Sequence, residues 1–585
     1  MPRSRLLPAA VTGPARRRTA ARVGRALSPR GALALQSVDG ALSFALRAAA
    51  AMALPAVPLA LADRADEAVY AMLGSFTTTF GRNLPYGPRA RVLALVAVAM
   101  TACVAGGTAL GAWARPQDDG TGAALVVTVT ALVAGAAKFA CDAARLRGLG
   151  AVLLMFSFAV AANGSPEPTD VLPHTGLAAL GATVAWLLGV SGRFVHPDRP
   201  RRLAVAAALR ELADLLAAIA AGRGLRAARH RATATVLQAY RTLGLLPPTT
   251  AERHDSDDLC VRVADLSWSL LIGSARPPPD DPAGLAERLR VQVRVLVSRS
   301  SGEPDLSELA RAAATARGGA TPVTASGPAH TRPTAEQRTW ELFTGHAHTR
   351  AAVLLVPALR MVLGTALAGL AALALGLGHG YWASVSAAAV LHSINVRTAA
   401  QRAAQRTLGT AAGLLLALGI LAARPDPPIL VVVVVLLEFL LEYVVARNYG
   451  LGVVFLTPLA LLLSDLAAPT QPGALVQDRA LGSFLGIAVA LLCALLVVHD
   501  RAALRAERAL TACAEAAKRA ERALADRDAA EFPHVQSRLA AAVVELREAD
   551  DAAAGELWPA EIDPTELAAA EQRAYGLLER LVRGR

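Results

Sequence analysis

Apolar and polar positions fall in long blocks along this chain: six apolar segments, a polar stretch, six more apolar segments and a polar tail. The candidate spans are 41–62, 68–80, 92–113, 123–140, 149–162 and 175–192, then 351–377, 381–396, 408–422, 429–445, 450–463 and 480–498. Several are shorter than the roughly 20 residues a straight spanning helix needs, so each of those is either a span or a buried or re-entrant piece. The polar stretch, 196–348, opens on an amphipathic run and continues in helical patterns near 226–244, 257–273, 283–299 and 305–317. Residues 318–333, rich in Thr, Pro, Ala and Gly, read as a flexible linker back to the apolar part. The tail from Asp500 has helical periodicity interrupted at Pro533 and near Pro559, and the charged faces there read as solvated.

These patterns predict an all-α polytopic membrane protein of about 12 transmembrane helices. Its expected parts are a basic tail over 1–40, a six-helix membrane repeat over 41–192 and a helical domain with linker over 193–348. A second six-helix repeat over 349–499 and a helical tail over 500–585 complete it.

Composition supports the membrane class and changes one further point, the orientation. A mean hydropathy of +0.41 over 585 residues, with 54% hydrophobic and 18% charged residues, excludes a disordered chain and disfavours an ordinary soluble enzyme. The net charge of +12 invites a nucleic-acid reading. The basic residues, however, are nearly all Arg and gather at the ends of apolar segments instead of forming a stripe interleaved with aromatics. With the N-terminus inside, the inner loops hold Arg82, Arg89, Arg91, Arg145, Arg147, Arg397, Arg402, Arg406 and Arg447. The outer loops hold acids, among them Asp63, Glu67, Asp118, Glu167, Asp426 and Asp465. This bias predicts a multi-pass protein of the cell membrane with both termini and the central polar block in the cytoplasm. Residues 1–30 contain many Arg and no apolar run, so they read as a retained cytoplasmic tail and not as a cleaved signal. The cysteines are scattered, with no metal-ligand spacing, and no metal or cofactor is expected.

The two apolar halves look like copies. Gly148-Leu149-Gly150-Ala151-Val152 at the fifth span matches Gly450-Leu451-Gly452-Val453-Val454 at the eleventh. Arg47 in the first span has its counterpart in Arg360 of the seventh, and Tyr70 opens the second span as Tyr381 opens the eighth. Six spans per copy is an even number, so a tandem duplication keeps its orientation and a pseudo-twofold axis runs along the membrane normal. The second span of each copy is short and polar, with Ser75 to Phe80 in one and Ser384, Ser386, His392, Ser393 and Asn395 in the other. Paired short segments point to a transport site between the copies, although hydroxyls there also serve helix-to-helix hydrogen bonding.

Ionisable groups within spans are expensive and persist mainly where they face a cavity or a partner. Arg47, Arg360, Ser384 and Ser386 are the substrate-binding candidates, because two guanidinium groups near the axis suit bidentate capture of a carboxylate. Snorkelling to lipid phosphates is the other role open to the two arginines. Lys138, His392, Glu438 and Glu442 are candidates for proton coupling or ion pairing. Lys138 is expected to pair with Glu438 or Glu442 across the axis. The two glutamates share one helix face, and a carboxylate exchanging a proton there would couple flux to a proton gradient. His392 reads as a proton relay or a hydrogen-bonded structural residue.

Gly376-Leu377-Gly378-His379-Gly380 lacks the strand and the Gly-Lys-Ser/Thr of a phosphate loop, and no hydrolase or ATP-pump motif is present, so an enzyme is not expected. Gly380-Tyr381-Trp382-Ala383, Arg406-Thr407-Leu408-Gly409-Thr410-Ala411-Ala412-Gly413, Arg447-Asn448-Tyr449-Gly450-Leu451 and Phe455-Leu456-Thr457-Pro458-Leu459-Ala460 together resemble the fusaric acid resistance family over about 350–500. The resemblance implies an inner-membrane exporter of aromatic carboxylic acids and related compounds. It also implies distant kinship to plant anion channels of the aluminium-activated malate class, in which membrane arginines line an anion path. The first half keeps the Arg and the Gly-Leu-Gly element but not the Arg-Thr-Leu-Gly-Thr signature.

The function expected is secondary, proton-linked export of aromatic carboxylates or related organic anions. A passive organic-anion channel on the same fold and a membrane scaffold with a partner-binding cytoplasmic domain are the alternatives. Membrane lipid and a small organic anion are the expected partners, nucleic acid is not, and a homo-oligomer and a periplasmic adaptor stay open.

Overall fold

The structure is a computed structural model that describes residues 40–82, 84–118, 120–144, 146, 150–164, 166–245, 258–273, 281–298, 304–317, 347–393, 396–469, 471–496, 501–527, 531–554 and 563–583. The basic tail over 1–39, the linker over 318–333, Arg145, Arg147, Gly148, Leu149, Asn395 and the break near Pro559 lie outside them. Among the described residues the regular structure is entirely helical. The first apolar set is α1 (Ala41–Leu61), α2 (Ala65–Ser75), α3 (Tyr86–Ala114), α4 (Gly120–Ala143), α5 (Gly150–Asn163) and α6 (Val171–Val195). A polar set follows: α7 (Arg199–Ala221), α8 (Leu225–Leu243), α9 (Leu259–Gly273), α10 (Pro282–Val297) and α11 (Ser307–Arg317). The second apolar set is α12 (Ala347–Ala374), α13 (Tyr381–Leu391), α14 (Val396–Ala422), α15 (Pro427–Val444), α16 (Tyr449–Ala467) and α17 (Pro472–Leu496). The chain ends in α18 (Arg501–Asp526), α19 (Phe532–Ala554) and α20 (Pro564–Arg583).

Nine of these helices are long and apolar enough to cross a membrane; α2, α5 and α13 are not. An 11-residue helix such as α2 or α13 rises about 16 Å, about half of a hydrocarbon core some 30 Å thick. The short helices are instead surrounded by the long ones: every residue of α13 is buried, as are most of α2 and α5. Long helices present Leu95, Trp113, Leu415 and Phe484 outward. In a chain whose solvent is lipid, such exposed apolar side chains are the expected outer surface.

The contacts repeat from one half to the other. The pair α1–α2 has its twin in α12–α13, α2–α6 in α13–α17, α3–α5 in α14–α16, α3–α6 in α14–α17 and α4–α5 in α15–α16. Between halves, α4 packs on α12 as α15 packs on α1, and α2 meets α16 as α13 meets α5. Exchanging the halves leaves this pattern unchanged, which is the arrangement of two copies about a twofold running along the bundle, with α2, α5, α13 and α16 nearest the axis.

The short helices end inside the bundle, so their terminal carbonyls need partners from the protein. At α13, Arg360 of α12 donates from Nη2 to the carbonyls of Leu391 (2.7 Å) and Ser393 (2.9 Å). After α2 the chain tightens into a 3₁₀ turn, Phe76–Thr79, in which Thr77, Thr78 and Thr79 each return a hydroxyl to a carbonyl three residues back. Arg89 of α3 then donates to the carbonyls of Gly81 (3.2 Å) and Arg82 (2.8 Å).

The polar helices form a separate unit on the side where α6 ends and α1 begins. Local signals set its boundaries. Gly222, Gly224 and Gly244 adopt positive φ around α8, and Asp281 caps α10 by accepting from the Gly284 amide at 2.8 Å. The insert and the C-terminal tail, which the sequence presents as two segments, share one core here. Leu212, Tyr240 and Trp268 of the insert pack in one cluster with Leu539, Leu578 and Leu581 of the tail. The Thr233 hydroxyl meets the Tyr575 hydroxyl at 3.1 Å, and Arg226 pairs with Glu571.

Two predictions follow from this packing. A Cβ added at Gly181 would lie 1.9 Å from the Ala71 carbonyl oxygen, whereas one at Gly176 on the same helix would meet nothing within 4 Å. Gly181→Ala is therefore expected to lower stability by about 1–3 kcal/mol and Gly176→Ala to leave it unchanged or slightly raised, read as the thermal unfolding midpoint in detergent. Leu578→Ala is expected to remove about 2–5 kcal/mol from the shared core. Hydrogen exchange would then quicken in α8 and α9 of the insert as well as in the tail.

Candidate functional site

Three of the sequence motifs in the second half converge on one buried cluster. Asn448 caps α16 by accepting from the Leu451 amide at 3.2 Å, which places Tyr449 at the first position of that helix. Gly409 of α14 lets the two helices close: a Cβ there would lie 2.6 Å from the Gly450 carbonyl oxygen. This approach carries Arg406, one turn earlier on α14, against Tyr449. Arg406 donates from Nη1 to the Tyr449 hydroxyl (3.2 Å) and from Nη2 to the Ser386 hydroxyl of α13 (3.4 Å). Ser386 in turn donates to Ser483 of α17 at 3.3 Å.

Arg479, two turns into α17, completes the cluster. Its guanidinium carbon lies 4.0 Å from the centre of the Trp382 ring, a cation–π stack between α17 and α13. Trp382 is fixed on its other sides by Tyr381 (ring centroids 4.5 Å apart) and by Phe156 of α5 (6.2 Å). Arg406 is 1% exposed and Arg479 0%. Nε of Arg406 and both Nε and Nη1 of Arg479 are buried without a hydrogen-bond partner. Neither guanidinium has a carboxylate within ion-pair distance among the described residues. Arg406, Tyr381 and Tyr449 lie within electrostatic reach of Arg479.

A buried charge without a counter-charge costs several kcal/mol after relaxation, and two of like sign add their repulsion. Packing alone does not require this arrangement, since apolar side chains fill such a volume at lower cost. What the cluster offers chemically is a set of convergent donors: two guanidinium forks, two serine hydroxyls and a tyrosine hydroxyl, backed by an indole face. Those groups complement an anion, a carboxylate above all.

At the matching crossing of α2 and α6 the first repeat has, among the described residues, no arginine pair; there the buried His174 of α6 stacks on Tyr70 of α2, ring centroids 3.5 Å apart. There Gly74 and Gly181 bring the backbones together, Ser75 donates to the carbonyls of Ala51 and Ala71 at 2.9 Å each, and Ala178 occupies the wall. Next to the second-repeat cluster, toward the start of α13 and α17, His379 meets Asp478 at 2.8 Å and Tyr381 meets Ser464 at 3.0 Å.

The residues singled out in the sequence fall in several places. Ser386 lies in the cluster. Ser384 does not reach it, since its hydroxyl is spent on the Thr365 carbonyl at 2.8 Å. Arg360 is the cap of α13 described above, and His392 lies at the same helix end. Arg47 lies in the first repeat, with Nε near its own-helix carbonyl of Ser43 at 3.4 Å and its guanidinium over Phe44. Lys138 does not join Glu438 or Glu442: it pairs with Asp142 on its own helix at 2.8 Å, because α4 packs on α12 while α15 packs on α1. Glu438 (1% exposed) and Glu442 (6%) are buried on α15, which packs on α1 and α16, with Oε2 of Glu438 unpartnered among the described residues and Glu442 within electrostatic reach of Arg82.

Arg406 and Arg479 were hidden by the placement of the spans. The pattern puts Arg406 in an inner loop and Arg479 just outside the twelfth span, whereas α14 begins at Val396 and α17 at Pro472. Pro472 at the first helical position was the available signal, since proline there starts a helix and moves Arg479 two turns inside it.

Comparison with known proteins places this cluster in a family context. Residues 367–493 match the family model described as "Fusaric acid resistance protein-like". The chain is also 26% identical over 463 residues to the uncharacterized membrane protein YvaC of Bacillus subtilis (strain 168), an alignment covering 75% of this chain and 70% of that protein. No solved structure matches. The stretch of α12–α17 that carries Trp382, Arg406 and Arg479 is therefore the part of this polytopic membrane protein that is similar to the fusaric acid resistance protein-like family.

Proposed function

We propose that this protein is a secondary transporter that exports organic anions, aromatic carboxylates among them, across the cell membrane, with its polar unit and both termini in the cytoplasm. The observation that carries the reading is the pair of fully buried arginines, Arg406 and Arg479, with no carboxylate partner among the described residues. Intramembrane charges of this kind are retained where they serve a pathway. The match of the surrounding segment to the fusaric acid resistance protein-like family supports an efflux role. A carboxylate docking between the two guanidinium groups would supply the missing acceptors, and Trp382 would offer a flat apolar face to an attached ring.

Energy coupling in this proposal lies with Glu438 and Glu442 on α15, one helical turn apart at the junction between repeats. A proton taken up or released there would change the charge at an interface that must shift if the repeats rock against each other.

Flux of a labelled aromatic carboxylate in proteoliposomes, with pH gradient and membrane potential imposed separately, tests both parts. Arg479→Gln is expected to reduce flux about tenfold or more, because charge-assisted hydrogen bonds to a bound carboxylate are lost. Arg360→Gln is expected to lower the unfolding midpoint through the uncapped end of α13 while the folded fraction still transports. Equal flux in wild type and Arg479→Gln would sink the anion site. Glu438→Gln is expected to abolish uphill movement driven by the pH gradient and to spare downhill movement. Wild-type flux that follows potential alone, and is indifferent to Glu438→Gln, would instead identify a passive channel.

A further inference from the structure

A second cluster of arginines lies in the first repeat, at the end of the bundle where α1 and α3 begin. Arg47 in the second turn of α1, Arg82 in the segment between the 3₁₀ turn and α3, and Arg89 in the first turn of α3 line one small cleft. The remaining walls include Phe44, Phe80, Leu93 and Gly189 of α6, so the cleft is apolar apart from Thr78 and the arginines. Phe44 organises two of the cations: the Arg82 guanidinium lies 4.3 Å from its ring centre and that of Arg47 5.7 Å. Arg89 spends its own donors on the Gly81 and Arg82 carbonyls and so holds the Arg82 segment in place. Nη2 of Arg82 is buried with no partner among the described residues, and there the one hydrogen bond of Arg47 is the long one to Ser43.

None of the three makes an ion pair among the described residues. Glu442 of α15 reaches Arg82 only through its field, and Arg447 on the same side adds a further positive charge. The cleft is therefore net positive, lies at the helix ends of the bundle, and is bordered on α1 by the outward-facing Leu42 and Leu46 (55% and 54% exposed). Convergent arginines select phosphate oxygens by their fork geometry. Basic clefts between membrane helices at the headgroup level suit anionic lipid heads, whose chains continue along neighbouring apolar surface.

We propose that Arg47 and Arg82, positioned by Phe44 and Arg89, bind a phosphate group, that of an anionic phospholipid of the adjoining leaflet. The site is distinct from the Arg406–Arg479 cluster, which belongs to the other repeat, and it does not depend on what the protein transports. A lipid held there would bridge α1, α3 and α6 where α1 packs against α15, one of the contacts that join the two halves.

The test uses the full chain in nanodiscs of phosphatidylcholine containing a minor fraction of phosphatidylglycerol, extracted into mild detergent, with retained lipid counted by native mass spectrometry. Wild type is expected to retain phosphatidylglycerol in preference to phosphatidylcholine. Arg47→Gln with Arg82→Gln should lose that retention by roughly tenfold, as two interfacial cations are removed. The charge-retaining pair Arg47→Lys with Arg82→Lys should keep part of it. Inorganic phosphate added to wild type in zwitterionic lipid forms the second arm. A raised unfolding midpoint there, with no preference for phosphatidylglycerol, would assign the same arginines to a free phosphate. Equal retention of the two lipids by wild type, with no response to phosphate, would overturn the proposal even if the glutamine pair failed to fold. So would undiminished retention in a folded glutamine pair.

Discussion

The ends of the short central helices are the constraint on which the rest of this bundle depends. Within lipid, a carbonyl or amide that lacks an intrahelical partner finds no water, so the protein itself must satisfy it. Arg360 does so for α13; the threonine hydroxyls of the 3₁₀ turn and Arg89 do so after α2. The short helices can therefore end inside the membrane part, and the polar side chains near those ends are enclosed by the surrounding long helices. Several membrane arginines are thus structural, and their charge is spent on backbone dipoles.

Against that background, Arg406 and Arg479 stand apart because the backbone does not use them. Their donors meet hydroxyls and an indole face, or nothing, at a place where the second repeat has kept Ser386, Ser483 and Trp382. The first repeat, folded in the same way, has close glycine contacts, a serine and a His174–Tyr70 stack there in place of the arginine pair. The repeat therefore preserves packing and lets chemistry diverge. An even number of helices per copy allows both halves to keep one orientation, while each buried polar position answers only to its own neighbours. The arginines of the first repeat, Arg47, Arg82 and Arg89, gather instead at helix ends, in a cleft walled by Phe44, Phe80 and Leu93.

The polar unit adds a second coupling of distant segments. Helices from the insert and from the C-terminal tail have amphipathic faces too small to be stable alone, and they bury those faces on one another around Trp268, Tyr240 and Leu578. The chain thereby closes on itself outside the bundle, tying the segment that leaves α6 to the segment that follows α17.

Hydropathy and internal repetition were enough to determine the helical class, the twelve apolar segments and the doubling, because each rests on local composition or on period. The helical stretches predicted near 226–244, 257–273, 283–299 and 305–317 correspond to α8–α11 within two residues. Ser386 was legible as a polar residue on a short helix. Its neighbours were not, because the cluster gathers Trp382, Arg406, Tyr449 and Arg479 from four helices, and Arg406 and Arg479 lie at segment edges where a hydropathy pattern reads loop. Tertiary structure alone decided that Arg360 caps a helix, that Lys138 pairs with Asp142 and that α4 and α15 pack on different partners. The physical reason is common to all three. A charged side chain in lipid takes the nearest group that can satisfy it, and which group is nearest depends on helix packing, which composition and spacing do not encode.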